Sequence, residues 1–297
     1  MINQKISWKQ TLHALLYLAP MMILLSIFFL YPIISTFILS VFKKYNFYTN
    51  AGQGIGFDNF AYLWHDPMFH QAVKNTFIFV LGVVPASIII SLGIALLLNR
   101  FSKVRGFFQT LYFLPYVTST VAIAMVWTWI YHSDYGVLNF ILKLFHLPPV
   151  GWLTDPHYTM LTLIIFSIWK NLGLNIILFL VALNSVPKQY YLSASIDGAT
   201  PWQQFTNITV PLISPTTFLL TINAMIASFK VFDQIYVFYH NTAGPNNSGM
   251  TIVYYLYQKF YVENNYTVAS AAGTVLFVII LLATLLQNYV SKHYVHY

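Results

Sequence analysis

Met160-Leu-Thr-Leu-Ile-Ile-Phe-Ser-Ile-Trp-Lys-Asn-Leu-Gly-Leu-Asn-Ile-Ile-Leu-Phe-Leu-Val-Ala-Leu183 is an apolar run with one charge in it, Lys170. A bilayer core about 30 Å thick is crossed by about 20 helical residues rising 1.5 Å each, so the run reads as a membrane span. Moving outward, similar windows occur at Leu12–Val41, Thr76–Leu98, Phe107–Tyr131, Leu212–Tyr239 and Val268–Val290. Composition agrees: charged residues make 7%, against roughly 25% in a soluble domain, while 58% of residues are apolar and mean hydropathy is +0.65. The first run follows Lys5 and Lys9 as a signal peptide would, but it is too long for one and no small-x-small cleavage site follows. The fold class is therefore all-α integral membrane protein: six transmembrane helices in one domain over residues 12–290, with tails at 1–11 and 291–297. Pro20 and Pro32 are tolerable in the first span because neighbouring groups can satisfy the freed carbonyls.

Basic residues in the short connections set orientation. Lys5, Lys9, Arg100, Lys103, Arg105, Lys188 and Lys292 fall on one side, with Asp197 as the acid among them. Lys43, Lys44, Lys143 and Lys259 fall on the other, with Asp58, Asp66, Asp134, Asp155 and Glu263. Both termini are predicted cytoplasmic. The outer connections carry Trp64, Pro148, Pro149, Trp152, Gly244 and Pro245, which suit structured caps.

The connection from Val186 to Pro211 encodes two short helices. Pro187 suits a first turn, and Gly198 can take the left-handed conformation that closes a helix. Thr200, Pro201 and Gln203 then form a Thr-x-x-Gln capping signal, followed by an apolar stripe at Trp202, Phe205 and Ile208 that Pro211 stops or turns into the next span. Such a segment is either an interfacial helix on lipid or a rigid knob for another protein.

Asp197-Gly198-Ala199 followed by Phe205, Ile208, Pro211 and Pro215 resembles the loop motif of permease subunits of binding-protein-dependent ABC importers. Trp169-Lys-Asn-Leu-Gly173, Phe179 to Leu183, Val186-Pro187, Phe229 to Val237, Gly244-Pro245 and Thr251 to Tyr255 are similar to its carbohydrate-uptake branch. The resemblance covers nearly the whole chain. It implies a multi-pass protein of the bacterial plasma membrane, paired with a second, non-identical permease, two ATPase subunits that bind ATP and Mg, and an extracellular solute-binding protein. It also implies that the 186–211 loop couples to an ATPase through Asp197, Gly198, Ala199, Trp202, Phe205, Ile208 and Pro211, and that Gly244 and Pro245 meet the binding protein. Where the family commonly has Glu-Ala-Ala, this chain has Leu192-Ser193-Ala194, so the family's acidic contact to the ATPase is missing.

The remaining chemistry is thin. No Gly-Lys dipeptide occurs, so no phosphate-cradling loop is present and ATP must be hydrolysed in trans; no cofactor is expected on this chain. The absence of cysteine removes thiolate metal sites and cysteine nucleophiles, and the pairs His65/His70 and His293/His296 lack the spacing of a helical zinc site. A net charge of +7 with a pI near 9.3 comes from scattered residues, not from a patch for nucleic acid. Asp233 is the lone acid within the predicted spans, too little for an enzyme.

Lys170, Lys230 and Asp233 must face protein or water. Lys230 and Asp233, three apart, read as neighbours on one helical face, whether as a structural ion pair or as pathway groups. Lys170 reads either as bonded to carbonyls of a neighbouring helix or as a pathway group beside Asn171 and Asn175. A sugar needs amides for its hydroxyls and aromatic rings for its faces, which adds Asn223 and Ser228. The family resemblance adds the segment from His132 to Asn139. Three alternatives stay open: a secondary transporter with Asp233 as its ion carrier, a structural membrane scaffold that binds partners and moves nothing, and an ABC importer of a non-sugar solute such as glycerol phosphate.

Overall fold

The computed structural model describes residues 8–46, 49, 51–100 and 105–294; Lys5, Lys103 and His296 lie outside them. Contacts group the chain into two compact units, Met1–His65 with Gln258–Val275 and Asp66–Tyr257 with Leu276–Tyr297.

In the first unit, α1 (Trp8–Leu25), a wide π-type turn (Ser26–Leu30) and α2 (Tyr31–Val41) form one apolar helix. The wide turn has a local cause: Pro32 lacks an N–H and its ring crowds the carbonyl four residues back, and loosening the preceding turn relieves both. The following residues make an antiparallel hairpin of β1 (Phe42–Asn46) and β2 (Ala51–Ile55), pairing Phe42 with Ile55 and Asn46 with Ala51. Next, α3 (Asp58–His65) is tied back by Asn59, whose side-chain amide donates to the carbonyls of Ser40 and Phe42 at 2.8 Å each. Lys259 is buried and bonds to Glu263 at 2.8 Å and Tyr62 at 3.4 Å. Burial opposes its charge, but these partners outweigh burial and hold its pKa above the ordinary lysine value.

The second unit opens with α4 (Pro67–Arg100), which starts at Pro67, earlier than the expected Thr76, because the Asp66 carboxylate accepts the Met68 N–H at 2.9 Å and Pro67 fits a first turn. It continues with α5 (Arg105–Val117), α6 (Thr120–Ile130), α7 (Val137–Leu144) and α8 (Thr159–Ser185). After α8 come α9 (Lys188–Ile196), α10 (Pro201–Gln204), a π-type turn (Phe205–Thr209) and α11 (Val210–Leu212). The chain closes with α12 (Ser214–Phe229), α13 (Asp233–Phe238), α14 (Ile252–Tyr257) and α15 (Tyr266–Tyr294), the last shared between the units.

Among the described residues four helices are long and apolar enough to cross a membrane, and six spans result if two bent pairs each count as one. Two of the expected spans are bent or broken. The segment expected at 107–131 is α5 and α6, bent by 104°. Pro115 removes one helical hydrogen bond, and Ser119, with ψ 130°, leaves the helical region. The segment expected at 212–239 breaks at Lys230–Phe232. Pro211 does not stop its helix: the chain passes through α11 and bends by 64° into α12.

The core of this unit is the α4–α8 pair with α5 laid against α8. Ala95, Ile176, Phe179, Leu180 and Ile213 are fully or almost fully buried there. Two glycines permit the close approach. A Cβ on Gly82 would lie 2.6 Å from Ile164, and one on Gly173 would collide with the backbone carbonyl of Tyr112. Between α6 and α8, α7 is bolted down by Asn139, whose amide donates to the carbonyls of Ser133 (2.8 Å) and Val150 (2.9 Å). Its carbonyl oxygen accepts from Val150 N (3.1 Å) and Trp152 Nε1 (3.0 Å).

Gly173→Leu is expected to destabilise the purified protein by about 1–3 kcal/mol or more, because the obstacle is backbone and cannot rotate away; the thermal midpoint in detergent checks this. Asn139→Ala would strand several buried groups at about 1–3 kcal/mol each. It should lower the same midpoint by several degrees, and an unchanged midpoint would show that water replaces the amide.

Candidate functional site

A polar cavity of about 200 Å³ lies where both broken spans meet α8. Three elements build it. From α8 come Ser167, Lys170 and Asn171, which share a face by their i, i+3, i+4 spacing. Thr120 comes from the first turn of α6, just after the α5–α6 bend, and Ser228, Lys230, Asp233 and Gln234 surround the break between α12 and α13. Phe79, Phe166 and Phe232 supply the apolar wall. Gln234 Nε2 donates to Ser167 Oγ at 3.1 Å, and Asn171 Nδ2 donates to the Ser167 carbonyl at 2.9 Å.

Of the polar residues that the sequence marks as pathway candidates, Lys170, Asn171, Ser228, Lys230 and Asp233 are brought together here. Others are not. Asn139 is a structural bolt with its amide fully committed. Asn175 is buried on α8 outside the cavity, and Asn223 is exposed on α12. His132 stacks on Tyr135 with ring centroids 3.5 Å apart and lines a separate cavity of about 400 Å³. Gly244 and Pro245 line that same second cavity, so His132 belongs with them. Thr120, Ser167 and Gln234 are missed by the sequence reading. Spacing on the Lys170 face could have found Ser167, whereas Thr120 and Gln234 depend on the two breaks.

The expected i, i+3 pairing of Lys230 with Asp233 does not form. The helix ends before Lys230 and restarts at Asp233, so the two do not share a helical face, and neither joins an ion pair among the described residues. Instead both line the same cavity as Lys170 of α8, which makes no hydrogen bond to a carbonyl of a neighbouring helix among the described residues. Many aromatic residues on these spans are packing: Trp127, Tyr131, Phe166, Trp169 and Phe238 join α6, α8 and α13 at centroid distances of 5.0–6.5 Å. Tyr131 also donates its hydroxyl to the Thr162 carbonyl at 2.8 Å.

The 240–249 loop is held firmly. Gly244 has φ +79°, Pro245 opens a short 3-10 turn, Asn75 donates to the carbonyls of Ser248 and Met250 at 3.0 Å each, and Thr159 Oγ1 meets Ser248 Oγ at 2.7 Å.

The 186–211 loop folds into a two-armed knob. Asp197 caps the end of α9, and Gly198 takes φ +80°. Thr200 and Gln203 form a reciprocal capping box at the start of α10. The arms are clamped by Tyr191 Oη to Thr209 Oγ1 at 2.9 Å and by Gln204 Nε2, which donates to Ser195 Oγ at 3.0 Å and to the Ala199 carbonyl at 3.3 Å. Trp202 is 70% exposed, Phe205 lies tilted beside it at 5.5 Å between ring centroids and is half-buried, and Ile208 packs on the core. The expected single stripe is therefore a spiral, because each step of three residues falls about 60° short of a full turn of the helix.

The protein family described as binding-protein-dependent transport system inner membrane component matches residues 87–296. The lactose transport system permease protein LacF of Rhizobium radiobacter is 34% identical over 284 residues, covering 93% of each chain. The arabinooligosaccharides transport system permease protein AraP of Bacillus subtilis (strain 168) is 33% identical over 274 residues, 92% of this chain and 86% of that one. Among solved structures, a chain of a bacterial alginate ABC transporter in complex with its alginate pentasaccharide-bound periplasmic protein superposes with a TM-score of 0.82 at 29% identity, covering 96% of both chains. Since the family match takes in the bent spans, every polar residue of the cavity and the clamped knob alike, this chain belongs to the inner membrane components of binding-protein-dependent transport systems, the permease subunits of ABC importers.

Proposed function

We propose that the chain forms half of the translocation pathway of an ATP-driven importer of a sugar or oligosaccharide. The solute arrives on an extracellular binding protein, a second permease completes the pathway, and two separate ATPase subunits hydrolyse ATP in the presence of Mg. The observation that carries this reading is the polar cavity at the two broken spans. Irregular backbone inside a membrane protein is tolerated where it lines protein or a water-filled space, and broken helices are a recurrent way to build solute sites. At about 200 Å³ the cavity is smaller than the roughly 300–1,000 Å³ of complete small-molecule sites, as suits half a site closed by another subunit. Hydroxyls, amides and three phenylalanine rings around it match the hydroxyl groups and faces of a sugar. The names of LacF and AraP point to the same solute class, and the ion-coupled alternative falls with the family.

The clamped knob is the coupling element in this reading. With both termini cytoplasmic, it projects toward the ATPase, and its exposed Trp202, with Phe205 behind it, is the docking anchor. Without the family's glutamate, apolar contact carries more of the docking. Coupling requires that the knob bind the ATPase pair differently in its open and closed states and carry that difference to α8 and α12 as a rigid body.

Three outcomes test the proposal. Purification of the tagged chain from its native membrane should bring an ATPase, a second permease and a binding protein with it, and a chain that emerges alone in mild detergent would overturn the assembly. Trp202→Ala should weaken ATPase docking by about 2 kcal/mol, roughly 30-fold in affinity, and depress ATP-driven uptake in reconstituted vesicles; normal uptake removes the docking role. Asp233→Asn and Lys170→Met should lower uptake while leaving ATPase stimulation by the loaded binding protein in place. Loss of both together would mean that the two charges serve assembly, not passage.

A further inference from the structure

The short helix α7 presents an apolar face that the chain does not cover. Val137, Phe140, Ile141, Leu144 and Phe145 recur at i, i+3, i+4, i+7 and i+8 and are 42–72% exposed. They span an arc of about 140° at 100° per residue. Asn139 lies on the far side, buried and making its four hydrogen bonds, so the helix cannot roll to hide this face. Lys143, exposed, lies about 60° beyond the Phe140 edge of the arc.

The surroundings say what covers the face. An open groove of about 820 Å³ runs from α6 onto the start of α7, lined by Met125, Val126, Trp129, Tyr135 and Val137. Met125, Val126 and Trp129 are 58%, 61% and 75% exposed on α6, one arm of a bent pair apolar enough to cross a membrane. With both termini cytoplasmic, as in the proposed function on which this inference rests, α6 is the outer arm and the apolar face of α7 continues its lipid-facing side. Trp129 and Tyr135 stand where the two meet, and amphipathic rings of this kind concentrate at the level of the lipid headgroups. A lysine just beyond an apolar helical face can bring its long stem down onto hydrocarbon and keep its ammonium among phosphates.

We propose that α7 is an interfacial anchor: it lies in the outer leaflet with Val137, Phe140, Ile141, Leu144 and Phe145 in the acyl region and Lys143 at the phosphates, and its partner is phospholipid. Through Asn139 and Trp152 the anchor holds the connection between α6 and α8 at a defined depth. Because Trp152 packs on Tyr131 at 5.7 Å, and Tyr131 lines the 400 Å³ cavity, that depth also sets where this cavity opens relative to the membrane surface.

The chain contains no cysteine, so single-cysteine variants report without background. Phe140→Cys, Leu144→Cys and Lys143→Cys would each carry a nitroxide in the complete transporter, reconstituted in bilayers of phosphatidylethanolamine and phosphatidylglycerol. At 140 and 144, collision with dissolved oxygen should exceed collision with a water-soluble nickel chelate several-fold, and at 143 the ratio should fall toward unity or reverse. Access to nickel at 140 and 144 would place α7 in water. Labels at 140 and 144 shielded from both reagents would place a second protein on this face. Either result overturns the lipid assignment. All three positions are exposed, so the substitutions leave the packed side of the helix intact.

Discussion

Backbone amides and carbonyls have no water to bond inside a bilayer, and each one left unpaired costs several kcal/mol. A chain this apolar therefore keeps its backbone helical wherever lipid surrounds it, and each departure must be supported by protein. Two departures bring polar atoms together. The α5–α6 bend exposes the first turn of α6, and the α12–α13 break frees the residues from Lys230 to Phe232. Both face the same side of α8, where Ser167, Lys170 and Asn171 wait. Irregular backbone and ionisable side chains thus share one small cavity, and the rest of the second unit is arranged around that exception.

The packing that makes the exception affordable is dry and close. Gly173 lets the backbone of α5 lie against α8, Gly82 makes room on α4 for the Ile164 side chain of α8, and an aromatic cluster from Trp127 to Phe238 fills the space between α6, α8 and α13. Asparagine has a different job in this protein from the one its chemistry first suggests. Asn59, Asn75 and Asn139 are bolts whose side chains replace missing backbone partners at helix ends and loops. An amide has two donors and two acceptor sites, so a single buried asparagine can fasten a whole connection.

Some elements were legible before any coordinates. The long spans follow from apolar length, since no soluble packing could absorb them, and the knob follows from Gly198, Thr200, Pro201 and Gln203, whose backbone and capping preferences act within a few residues. The hairpin at 42–55 was not legible. Nor was the role of Asn139, because its partners Ser133, Val150 and Trp152 come together only when α7 folds back beneath them. Lys230 and Asp233 show the limit most clearly. Helical spacing pairs them on paper, but the helix breaks between them, and the aspartate shares a cavity with Lys170 instead, more than sixty residues earlier in the chain.

By itself, the sequence determined what depends on local or summed preferences: a membrane protein of about six spans, the charge asymmetry of its connections, the capped two-helix loop, and the absence of any phosphate-binding motif for ATP. The tertiary structure alone decided which polar residues meet. That outcome depends on where two spans break and on which helix faces converge, and these are settled by close packing between segments far apart in the chain, where a difference of one helical turn moves a side chain from a cavity to lipid.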